Sequence, residues 1–143
     1  MFKQKIFILS FIVLVLVASF NYLGVTFSLY WVYKWYDIPM HMLGGLWVSL
    51  FTLSFYPYLN KHYLVKDFNI NPLYAVFISL LFMIIAWEIF ELIGGMALLS
   101  DRGYWPDTLG DVLNGYIGGI VGYLFYLKEN NVELLRSKIK ILK

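Results

Sequence analysis

The chain contains no cysteine. That excludes disulfides, thiolate catalysis and cysteine-ligated metal sites, and it leaves the compartment open. Charge is scarce as well: Asp, Glu, Lys and Arg make up 14% of the 143 residues, where a soluble domain carries about 25%. The net charge of +2 is too small to argue for a nucleic-acid partner. No Walker phosphate loop, HExxH zinc motif or Ser-His-Asp signature occurs, so no named enzyme class is signalled.

What fills the space is apolar. Hydrophobic residues reach 61%, against about 45–50% in soluble domains, and the mean hydropathy is +0.71. Aromatics reach 20%, with 12 Tyr, 12 Phe and 5 Trp, as expected where amphipathic rings line a bilayer's interfaces. The composition predicts an all-α, multi-pass protein of the cell membrane, one domain in length.

An apolar helix needs about 20 residues to cross the hydrocarbon core. Four segments qualify, over about 6–23, 38–56, 72–92 and 107–127. Together they give a four-helix transmembrane domain over 1–127, followed by a tail over 128–143. Asn71-Pro72 is a good cap and first-turn pair for the third span. The first span has an alternative as a cleaved signal peptide, with Lys3 and Lys5 before an apolar core and a small Val17-Ala18-Ser19. Its apolar stretch runs on to Lys34 without a charge, which favours a retained helix. The end of that stretch, "YWVYKWY", has the character of an interfacial anchor.

Basic residues set the orientation. With a cytoplasmic N-terminus, the inner regions hold Lys3, Lys5, Lys61, Lys66, Lys128, Arg136, Lys138, Lys140 and Lys143. The outer loops hold only Lys34 and Arg102, so both termini are expected in the cytoplasm. The basic tail puts Val132, Leu135 and Ile139 on one helical face. It reads either as an amphipathic helix on the inner leaflet or as a solvated end.

The remaining polar groups gather at one depth. Asp37 and His41 stand one helical turn apart at the outer start of the second span, and Glu88 and Glu91 lie in the outer part of the third. Asp107, Asp111 and Asn114 occupy the outer end of the fourth, after the loop pair Asp101 and Arg102. Each ionisable side chain in lipid costs about 2.5–3.5 kcal/mol on insertion scales, so such groups usually face a bundle interior or a wet cavity. The pattern predicts an outward-facing acidic pocket. Duller roles compete at several positions: Asp37 and Asp107 suit helix caps, His41 and Asn114 suit interhelical hydrogen bonds, and Asp101–Arg102 suits an exposed pair. Glu88, Glu91 and Asp111 lie too far inside their helices to cap them.

Glycines set the packing. Gly115/Gly119 and Gly118/Gly122 form small-xxx-small spacings, and Gly44-Gly45 and Gly94-Gly95 sit on the other polar helices. Such spacings admit close helix approach, either within the chain or in a homo-oligomer through the fourth helix.

Clustered carboxylates do not all stay ionised without a cation. Carboxylates with one imidazole suit Mg²⁺, Mn²⁺ or Zn²⁺, with Asp37, His41, Glu88, Glu91, Asp107 and Asp111 as the candidate ligands. On that reading Glu88, Asp111 and His41 carry catalysis, while Asp37, Glu91, Asp107, Asn114 and Arg102 bind. A proton or cation relay would use the same residues.

The order "YDIPMHMLGG", "WEIFELIGG", "DRGYWPDTLGDVLNGYIGGIVG" resembles the VanZ-like and YjdF-like families of small bacterial multispanning membrane proteins, over roughly residues 37–122. The resemblance implies a shared Asp-x-x-x-His, a buried Glu and a final helix with Asp, Asn and spaced glycines. It makes Asp37, His41, Glu88, Glu91, Asp107, Asp111 and Asn114 the family's polar positions. Ile38 stands where VanZ-like chains often carry Lys, and the second acid, Glu91, is closer to the YjdF-like pattern. The expectation is metal-assisted or acid/base action on a lipid-linked cell-envelope substrate, with membrane lipids as partners. The alternatives are a non-catalytic protein binding an envelope lipid or amphiphilic antibiotic, and a cation- or proton-coupled transporter.

Overall fold

The computed structural model describes residues 2–62, 70–94 and 103–141. Among them the chain is helical, without a strand. Helix α1 spans Phe2–Thr26, the short α2 spans Leu29–Val32, and a 3₁₀ turn over Lys34–Tyr36 leads into α3 at Asp37–His62. Helix α4 spans Pro72–Gly94, and α5 spans Tyr104–Ile141. Long runs of Leu, Ile, Val and Phe favour helices here because a helix satisfies its own backbone hydrogen bonds, as lipid requires.

Local chemistry sets the ends. After α1 the chain reverses at Ser28, whose φ of 55° lies in the left-handed region. The corner is then tied back onto α1: Tyr36 Oη donates to the Phe20 carbonyl at 2.8 Å, and Tyr30 Oη donates to Asn21 Oδ1 at 2.8 Å. Both rings cover Gly24, where a Cβ would stand 2.6 Å from Tyr30 Cε2 and 2.8 Å from Tyr36 Cε1. Asn71 caps α4 as expected, accepting from the Leu73 N–H at 2.9 Å.

At two positions the capping alternative gives way. The 3₁₀ turn runs straight into α3, so Asp37 already has helical angles, φ −67° and ψ −38°, and its carboxylate is free for His41. Helix α5 begins at Tyr104, before Asp107, whose N–H donates to the Gly103 carbonyl at 3.1 Å. Asp107 is thus a first-turn acid, favourable at the positive end of the helix dipole, and not the cap. At its other end α5 continues unbroken into the basic tail as far as Ile141. Its 38 residues span about 57 Å, well beyond a hydrocarbon core of about 30 Å.

Helix α3 is the hub, packing against α1, α4 and α5. Ile6, Val13 and Leu50 fill the α1–α3 contact, and Val48, Leu53, Val76, Leu80 and Tyr126 fill the one among α3, α4 and α5. Most other large apolar side chains point outward, including Phe11, Ile78, Phe82 and Ile93. Water would penalise that surface; lipid accepts it. Gln4–Thr26, Lys34–Pro57 and Pro72–Ile93 are each long and apolar enough to cross a membrane. The fourth predicted span lies in α5, which is not among those helices. Asp111, Asn114 and five glycines dilute its apolar run.

Candidate functional site

Bare backbone brings α3 and α5 together. A Cβ on Gly45 would overlap the Gly115 carbonyl, and one on Gly118 would overlap the carbonyl of Met42. Farther along, Gly122 faces Ser49, with a Cβ placed 2.8 Å from its Oγ. The glycine pattern is therefore engaged inside the chain, and it sets how near the polar ends of the two helices lie.

At that end three side chains converge. His41 Nε2 stands 3.3 Å from Asp37 Oδ1, one turn earlier on α3, and 3.4 Å from Asp111 Oδ1 on α5. One ligand atom from each lies within 4.8 Å of the other two. Asp111 is only 7% exposed, an unusual depth for a carboxylate. A single Nε2–H points at one acceptor, and charge-assisted bonds close to about 2.7–2.9 Å. Both separations exceed that. Two ligands placed about 2.0–2.1 Å from a shared tetrahedral ion would be about 3.3–3.4 Å apart. Asp37, His41 and Asp111 together could hold a metal ion.

The cluster lines one end of a cavity of about 240 Å³ among α1, α3, α4 and α5. Asn21, Tyr30, Trp87 and Glu88 join it there, and Leu14, Val17, Val48, Leu80, Met83 and Ile84 line the rest. The Trp87 ring meets His41 edge-on, with centroids 6.3 Å apart. Burial, and then the charge of Asp37, push the Tyr30 phenol up to about 12.

The chain belongs to the family described as "Predicted membrane protein (DUF2238)". That family's model matches residues 3–130. No curated protein and no solved structure matches the chain.

Membership agrees with the apolar helices and with the sequence's small-membrane-protein character. The other predicted site residues fall outside the Asp–His–Asp cluster. Glu88 reaches the cavity, but its Oε2 accepts from Thr108 Oγ1 at 3.1 Å and from Tyr104 Oη at 3.2 Å. Glu91 Oε1 accepts from Trp87 Nε1 at 2.7 Å. Asp107 is exposed and Asn114 half-buried, and neither lines the cavity. Arg102 and its neighbour Asp101 lie outside the described residues.

Sequence reasoning missed Asn21, Tyr30, Trp87, Tyr104 and Thr108. Asn21 carried a usable signal, as a lone amide in an otherwise apolar span. Tyr104, Thr108 and Asp111 repeat at helical spacing, which marks a polar face on α5.

Proposed function

We propose that this is a four-span protein of the cell membrane, with both termini cytoplasmic, that holds a divalent cation at Asp37, His41 and Asp111. The cation would act on the polar head of a lipid-linked substrate. The observation that carries the reading is the convergence of Asp37, His41 and Asp111, with His41 Nε2 3.3 and 3.4 Å from the two carboxylates and one ligand atom from each within 4.8 Å of the other two. Such an ion would polarise a phosphoryl or carbonyl oxygen and lower the pKa of bound water. The protein's own part is to fix the ligands on two helices and to exclude bulk water with Trp87 and Tyr30. The Asp-x-x-x-His pattern shared with VanZ-like and YjdF-like chains is consistent with this role.

Metal content of the purified protein tests it, comparing wild type with Asp111→Asn and His41→Ala. A stoichiometric divalent metal, lost in both variants, is the expected result. Folded wild type that stays metal-free after loading would sink the proposal. The positive-inside count supports the topology, and the absence of cysteine makes it easy to test. Single cysteines at Lys5 and Lys143 should be labelled from the same face of sealed vesicles, whereas opposite faces would remove α5 as a span.

The mostly apolar cavity wall favours a second reading, binding without turnover. A changed lipid species on deletion supports chemistry, whereas co-purified but unaltered lipid supports binding alone.

A further inference from the structure

The cavity has a direction. On α3 it runs from Asp37 and His41 to Val48, a rise of about 16 Å. The flanking helices repeat the gradient: α1 goes from Asn21 to Leu14, and α4 from Glu88 to Leu80. Polar groups collect at one end on all of these helices, and aliphatic ones at the other. A small polar metabolite would leave the aliphatic end unfilled, and a hydrocarbon would strand the carboxylates.

Two of the cavity's walls come from helices that pack little on each other. Helices α1 and α4 supply facing walls, yet each packs on α3 and α5 and not along the other. Many residues around these walls, Phe11 and Phe82 among them, face outward to the apolar medium. A seam between two such helices would be the route sideways into the bilayer. Size limits what can pass: about 240 Å³ lies below the roughly 300–1,000 Å³ of pockets that enclose a drug-sized molecule. That suits one chain with its head, the far end of the chain remaining in the seam. Charge narrows the head. No Lys or Arg lines the cavity, and Asp37, Glu88 and Asp111 do. Alone, that lining would select a cationic head; with a cation held at Asp37, His41 and Asp111, the same ion bridges to an anionic one.

From these observations we infer that the cavity takes a single-chain phosphorylated amphiphile, which enters from the bilayer between α1 and α4. Its phosphate meets the Asp37–His41–Asp111 cluster, and its chain lies against Leu14, Val17, Met83 and Ile84. The inference rests on the cation reading for the head and on the apolar wall for the chain.

Photo-crosslinking in lipid nanodiscs tests it with three diazirine-tagged probes: a lysophosphatidic acid, a prenyl monophosphate and a two-chain phosphatidic acid. The expected result is labelling of Val17, Met83 or Ile84 by one or both single-chain probes, with their ratio telling acyl from prenyl sources. Val17→Trp, which fills the channel, should cut labelling at Met83 about tenfold, the ratio that 1.4 kcal/mol of lost binding gives. Ala18→Leu is the milder variant should Val17→Trp fail to fold. Equal labelling of these residues by the two-chain probe, or labelling confined to Phe11 and Phe82, overturns the inference. Metal content measured on the same samples separates the two readings. Channel labelling in metal-free wild type removes the cation alone, and bound metal with outward-only labelling removes the chain site alone.

Discussion

Gly118 on α5 lies directly against the carbonyl of Met42 on α3, leaving no room for even a methyl group. One residue before Met42 stands His41, and about two turns before Gly118 stands Asp111, its partner across the same contact. Helix spacing and site geometry are thus one variable.

Gly118→Ala should therefore do two things. It should destabilise the fold by about 1–3 kcal/mol, the usual cost of overpacking, and it should lower metal binding by moving Asp111 away from His41. Gly110→Ala is the control, since a Cβ there meets nothing within 4 Å. Thermal unfolding in detergent and metal content check both effects. Equal behaviour of the two variants would refute the coupling.

Glu88 and Asp111 should part company. Glu88 already accepts two hydroxyls from the first turns of α5, whereas Asp111 belongs to the cluster around His41. Glu88→Ala is expected to keep the metal and to speed hydrogen–deuterium exchange across residues 104–108. Asp111→Asn should lose the metal and leave that exchange unchanged. Metal loss in Glu88→Ala would enlarge the site to include Glu88.

Ser49 is a buried hydroxyl without a hydrogen-bond partner among the described residues. Removing such a group relieves a desolvation penalty of about 1–3 kcal/mol. Ser49→Ala should accordingly be neutral or stabilising in thermal unfolding. Marked destabilisation would show that the hydroxyl has found a partner, such as a water, between α3 and α5.

Tyr30 sets an alkaline limit. Its phenol ionises at about 12, raised from 10.0 first by burial and then by Asp37. Because the folded value exceeds the unfolded one, its contribution to stability is complete below pH 10 and is lost as pH rises toward 12. Tyrosinate absorbance, taken as wild type minus Tyr30→Phe, should show this late titration. Asp37→Asn should lower it only part of the way, since burial is the larger cause.

Much of the fold was legible because the relevant forces are local. Apolar run length located the long helices, and Asn71-Pro72 marked the start of α4. Helical spacing joined Asp37 to His41. The choice of Asp111 over Glu88, Glu91 and Asp107 as the third member was not legible, because it depends on the rotation of α5 about its axis. That rotation follows from which glycines meet Met42, Gly115 and Leu80, an interhelical property that spacing along one chain leaves undetermined. Whether Asp37 and Asp107 cap their helices was open in the sequence for a related reason: a 3₁₀ turn and three earlier residues extend the two helices upstream.

The weak apolarity of α5 also bears on how the protein is made. On the proposed four-span topology, a span that carries a buried Asp and a row of glycines has little reason to leave the insertion channel for lipid by itself. Helix α3, synthesised earlier, offers the carbonyl-lined groove that α5 fits. Insertion of α5 would then be chaperoned by its own chain, and ribosome-stalled intermediates lacking α3 would release α5 into the aqueous phase.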